Sequence, residues 1–186
     1  MIAYLLVLVA ALSRLFLVAG GTPMHVGWMN FTAVGGVLLY FGARRNWREM
    51  AMPLVVLMAT DYFLTTRVYH FSFEWQGYIP TWIWYIAAMA LGRILLHART
   101  SVLRISAGAL LGPTSFFLVS NYAVWASSGM YPKTMPGLVA CYVAGLPFYR
   151  NDTMSTALVS AALFGLPVLV RRMQTVWLAH HPAQQA

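Results

Sequence analysis

The chain has 186 residues, 60% of them hydrophobic and only 9% charged, with a net charge of +8 and a mean hydropathy of +0.67. This balance excludes an ordinary soluble domain and points to an all-α integral membrane protein. Most basic residues fall between apolar runs, where they set membrane orientation, so the charge does not signify nucleic-acid binding.

Crossing a bilayer takes about 20 helical residues. Six runs approach or reach that length: Ile2–Ala19, Met29–Ala43, Ala51–Thr66, Pro80–Leu96, Val102–Ala126 and Thr153–Val170. No Lys or Arg precedes the first run and Arg14 interrupts it, so it reads as a retained span rather than a signal peptide. The second run is short for roughly 30 Å of hydrocarbon and is expected to be buried among its neighbours. Pro53 and Pro80 are expected in first turns, where a missing N–H costs little. Ser101 is positioned to cap the fifth helix and Asp152 the sixth. Pro113 should kink the fifth. A further apolar segment, Pro136–Tyr149, contains Gly145 and Pro147 and is too short to cross, which suggests a re-entrant or interfacial helix. With no internal repeat or linker, residues 1–186 form one expected domain, and the single cysteine, Cys141, excludes an internal disulfide.

Orientation follows from the positive residues. One set of ends and loops holds Arg44, Arg45, Arg48, Arg93, Arg99, Arg104, Arg171 and Arg172; the other holds Arg67, Lys133 and Arg150. The excess places the N and C termini of a multi-pass protein in the cytoplasm.

Asp61 lies within an apolar run, and a carboxylate in hydrocarbon costs about 2.5–3.5 kcal/mol on the lenient insertion scale. It therefore needs a partner, a cavity or a ligand. Arg14 and Asn121 raise the same problem, and each of the three lies five residues before the outer end of its run. At about 1.5 Å per residue they occupy one level, where they are expected to share a network. Aromatics are skewed outward as well: Trp28, Trp75, Trp82, Trp84 and Trp125 against Trp47 and Trp177. A one-sided belt fits a capped pocket open to the outside, although each tryptophan read alone is a membrane anchor. The Arg14–Asp61 pair has a purely structural reading too, and Asn121 one as an interhelical hydrogen bond. His25 and His70 have no ligand spacing, so no metal and no cofactor is expected. No histidine lies within a span, which removes an intramembrane Ser–His or Cys–His pair and argues against an enzyme.

Four stretches carry a resemblance: AALSRL at Ala10–Leu15, NFTAVGG at Asn30–Gly36, SNYAVWASSGMYPKT at Ser120–Thr134 and GLVACYVAGLPFYRN at Gly137–Asn151. Through them most of the chain resembles a bacterial family of uncharacterised transport proteins, which look like the substrate-binding S-components of energy-coupling factor (ECF) vitamin transporters. The resemblance implies six helices, cytoplasmic termini, a pocket near the outer face roofed by loops, and a vitamin or cofactor precursor as substrate. S-components commonly carry an Ala-x-x-x-Ala patch on the first helix that docks on an energising module. Here Ala3, Ala10 and Ala11 are followed four residues later by Val7, Arg14 and Leu15.

The expected function is therefore the substrate-binding subunit of a small-molecule importer, with lipid and an energising module or other membrane subunits as partners. Arg14, Asp61 and Asn121 would form the floor of the pocket or its support. Asn30, Tyr62, Trp82, Trp84 and Trp125 would line it, and Tyr131 and Lys133 would close it. The alternative is an accessory or assembly subunit of a larger membrane complex that binds no ligand.

Overall fold

The computed structural model describes residues 1–16 and 31–180, which are helical apart from short connections and contain no strand. The helices are α1 (Ile2–Phe16), α2 (Val34–Arg44), α3 (Ala51–Phe63), α4 (Trp75–Leu96), α5 (Val102–Ser127) and α6 (Met135–His180). Three are long and apolar enough to cross a membrane: α4, α5 and the Met135–Thr175 part of α6.

Small residues explain the packing. The short helix α2 is central, buried along nearly its whole length, and touches α1, α4, α5 and α6. A Cβ at Gly42 would fall on the carbonyl of Met89, and one at Gly92 on that of Leu39, so α2 and α4 cross backbone to backbone. On its other side, Gly35 and Gly36 leave room for Thr156, Val159 and Ser160 of α6. Close approach through glycine is the usual means of joining helices where lipid removes the hydrophobic drive between them. Around α2 the core gathers Val7 and Ala10 of α1, Leu57 of α3, and Trp84, Ala88 and Met89 of α4.

Helical spacing also carries the charges inward. On α1 the buried stripe Ala3, Val7, Ala10 continues one turn later into Arg14. On α3 the buried residues are Pro53, Leu57 and Asp61, each four apart. Both stripes point their last, charged member at the bundle interior. Just past Asp61, α3 widens into a π-helical turn, Leu64–Val68. The chain then reverses at His70, with φ of 56°, as the Phe71 N–H donates to the Thr65 carbonyl (2.9 Å). Histidine is among the residues that tolerate this left-handed conformation.

Two expectations are corrected here. Pro136–Tyr149 is not a separate re-entrant helix; it is the first part of α6, which runs unbroken for 46 residues through Pro147 and Pro167. One proline removes one backbone hydrogen bond, whereas the face Cys141, Gly145, Asp152, Thr156, Ser160 and Phe164 stays buried at helical spacing across the expected break. Asp152 is consequently no N-cap, and Arg150 lies on a helix rather than in a loop. Likewise α4 begins before Pro80, at Trp75, so Pro80 lies inside the helix and not in its first turn. Ser101 does cap α5, accepting from the Arg104 N–H (3.3 Å).

Candidate functional site: a cavity between two buried aspartates

Asp61 is 1% exposed and fully engaged. Arg14 Nη2 donates to Oδ1 (2.6 Å), Trp82 Nε1 to Oδ2 (3.0 Å), and the Tyr85 hydroxyl lies 3.4 Å from both oxygens. These groups come from α1, α3 and α4, so one carboxylate ties three helices together. Two cross-helix donors and a guanidinium in good geometry are what a buried ion pair requires to offset desolvation. Arg14 Nη1 is also buried but has no partner among the described residues.

Beside this cluster is a cavity of about 210 Å³ lined by Arg14, Asp61, Thr32, Val34, Tyr78, Thr81, Trp84, Tyr85, Phe116 and Asp152. A second of about 210 Å³ lies between α5 and α6, bordered by Pro113, Phe117, Ser120, Asn121, Gly145, Phe148 and Tyr149. Phe116 and Asp152 border both. Asp152 is 7% exposed, and its carboxylate receives one long hydrogen bond, from Thr156 Oγ1 at 3.4 Å. No basic group pairs with it among the described residues.

The expected site residues divide accordingly. Arg14, Asp61 and Trp82 meet directly. Trp84 lines the first cavity, packs at a tilt against Phe116 (4.7 Å between centroids) and donates to the Gly112 carbonyl (3.0 Å). Asn121 does not join Asp61, contrary to the one-level expectation. Its amide donates to its own helix at Phe117 O (2.8 Å), its backbone carbonyl accepts from Cys141 Sγ (3.3 Å), and it borders only the second cavity. Equal distance from the ends of apolar runs does not by itself bring side chains together. Asn121 stands five residues beyond Phe116 on α5, ~7.5 Å further along the helix.

Tyr62 is exposed and packs edge-on against Phe73 (5.2 Å), outside both cavities. Phe73 in turn stacks on Tyr78 (5.1 Å), which stacks on Trp82 (6.0 Å), giving an aromatic row beside the first cavity. Tyr78 also shares a hydrogen bond with Thr65 in the π-helical turn. Trp125, Tyr131 and Lys133 lie at the α5–α6 turn and border neither cavity. There Trp125 Nε1 donates to Pro132 O (2.9 Å), while Lys133 Nζ bonds the carbonyls of Trp125 and Ser128 at the end of α5. Lys133 thereby closes the end of α5. Asn30 lies outside the described residues.

Sequence pattern did not single out Asp152, Tyr78, Tyr85, Thr81 or Phe116 as site residues. A signal for Asp152 existed: Asp152, Thr156 and Ser160 recur every four residues in line with Cys141 and Gly145.

No curated protein and no solved structure matches the chain. A family match covers residues 1–179. The chain belongs to that family, DUF6580, a family of unknown function.

Proposed function

We propose that this protein captures a small molecule from the outer side of the bacterial inner membrane, within the cavity bordered by Arg14, Asp61 and Asp152. In this reading all six helices cross the membrane, both termini are cytoplasmic, and the molecule is the substrate-binding subunit of an importer resembling an S-component. One observation carries it. Two adjoining cavities, walled by aromatic rings, converge on a few polar groups at the bundle end that the positive residues assign to the outside. Apolar walls with sparse, placed polar groups characterise small-molecule sites. The exposed basic residues Arg44, Arg48 and Arg99 gather at the opposite end.

Docking on an energising module through α1 alanines has no support, because Ala3, Ala10 and Ala11 are buried within the protein's own bundle. A partner would engage another surface.

Purification followed by mass spectrometry of any retained small molecule tests this reading, which expects a bound compound. A bare chain that always travels with other membrane subunits would support the accessory role instead. A cytoplasm-specific reporter should be active after Arg48, Arg104 or Ala186 and silent within 127–134; the reverse would place the cavity on the cytoplasmic side.

A further inference from the structure

Two carboxylates and one guanidinium border the first cavity. The guanidinium is already engaged: Arg14 reaches Asp61 at 2.6 Å, and Trp82 and Tyr85 complete that carboxylate's shell. Asp152 has no counterpart among the described residues. Its neighbours on α6 are hydroxyls, Ser155 and Thr156, and the Ser155 hydroxyl bonds the Asp152 backbone carbonyl (3.1 Å) rather than its carboxylate. From the segments packed opposite, the cavity walls offer Thr32, Thr81, Tyr78, Tyr85 and Phe116, none of them a cation. A carboxylate this enclosed is costly unless a positive group or a proton neutralises it. Its position between the two cavities gives a ligand access to it from either side.

Ring faces surround the same point. Phe116 borders both cavities, Trp84 packs at a tilt against it, and Tyr149 lies across the second cavity. Aromatic faces beside a carboxylate favour an organic cation, which gains from the ring quadrupoles as well as from the charge.

We infer that the ligand is a small organic cation whose ammonium group sits at Asp152 against Phe116, with its body in one or both adjoining cavities. This inference rests on the ligand-capture reading and assigns its chemical class. Asp61 takes no direct part in charge recognition; it holds Arg14, Trp82 and Tyr85 in place to shape the wall. The unpartnered Arg14 Nη1 remains available to a carbonyl or hydroxyl on the ligand once it enters.

The test uses the full-length protein purified in detergent and three probes of one shape and different charge: benzylammonium, benzyl alcohol and benzoate. Binding is read from thermal unfolding and tryptophan fluorescence. Benzylammonium should raise the unfolding temperature in a concentration-dependent way, as any ligand selective for the folded state must. The other two should leave it unchanged. In Asp152→Asn, benzylammonium should bind about tenfold more weakly or worse, the loss expected for one charge-assisted contact. Equal protection by benzyl alcohol, or preference for benzoate, would overturn the cationic class while leaving a ligand-binding cavity in place. Protection by none of the three would also overturn it, and the identity of any co-purified molecule then decides separately whether the cavity is a ligand site. Should Asp152→Asn fail to fold, the charge series on the wild type is decisive by itself.

Discussion

Asp61 and Asp152 border the same cavity, are both buried, and are treated in opposite ways by the fold. Asp61 collects a guanidinium, an indole N–H and a phenol from two other helices. Asp152 collects a single long bond from a threonine one turn away on its own helix. The difference separates two uses of a buried carboxylate. One that is satisfied by its own protein orders helices and is spent in doing so. One left without a counter-charge among the described residues can take up a proton or, in the proposed reading, a cationic ligand.

The sharpest way to break this contrast is to strand a charge. Replacing Arg14 with Met leaves Asp61 buried and unpaired, which should destabilise by about 3–5 kcal/mol. Asp61→Asn should also be costly, and the double variant should lose less than the sum of the two. Unfolding of the four proteins in a double-mutant cycle measures this; additive losses would mean that the pair does not interact and that Asp61 is no helix tie.

A smaller effect is expected where α6 meets α2. A Cβ at Gly35 would run into Thr156, the one residue bonding the Asp152 carboxylate, and Val there should cost about 1–3 kcal/mol through overpacking. The Arg14–Asp61 cluster sits on other helices and should survive, so tryptophan fluorescence from Trp82 should stay native-like in the folded fraction. Smaller again is Asp152→Asn by itself. Removing an uncompensated buried charge should leave stability within about 1 kcal/mol or raise it, the opposite of Asp61→Asn.

How much of this was legible in the sequence depends on how far each residue's environment is set by its own helix. Arg14 and Asp61 were legible as a pair, since a charge in an apolar run must find a partner and each ends a buried stripe. The burial of α2 was legible from its length. The unity of α6 was not: Gly145 and Pro147 read locally as a break and Asp152 as a cap, and only packing against α2 and α5 overrides them. Asn121 read as a neighbour of Asp61 from its place in its apolar run, whereas its hydrogen bonds go to Phe117 and Cys141. Trp125 and Lys133 border neither cavity, which the sequence could not show, because a turn that caps its own helix and a lid over a pocket use the same residue types. Asp152 was missed as a site residue because it read as the N-cap of a separate sixth helix.

The smallest expected effect lies at the far end of the bundle and serves as a control for the two aspartates. Glu49 is partly exposed to solvent, and hydrogen bonds, first from Tyr4 and then from Arg45, hold its carboxyl below the usual range. A carboxylate with a depressed pKa adds stability that is present above its unfolded value, near pH 4.5, and fades as pH falls through the lower folded value. Acidification below that point should therefore loosen the α1–α2 contact around Tyr4 in the wild type, and Glu49→Gln should abolish this component. An unchanged acid profile in the variant would show that the cluster contributes nothing. Benzylammonium binding should be unaffected by Glu49→Gln, because the cluster is remote from both cavities.

Native mass spectrometry of the wild type, Asp152→Asn and Trp125→Leu, released from the same detergent, tests the central claim most directly. The account predicts a small molecule retained by the wild type and by Trp125→Leu, whose indole bonds Pro132 in the α5–α6 turn, and lost or strongly reduced in Asp152→Asn. Equal occupancy in wild type and Asp152→Asn, or loss confined to Trp125→Leu, would contradict it and move the binding site from the buried cavity to the α5–α6 turn.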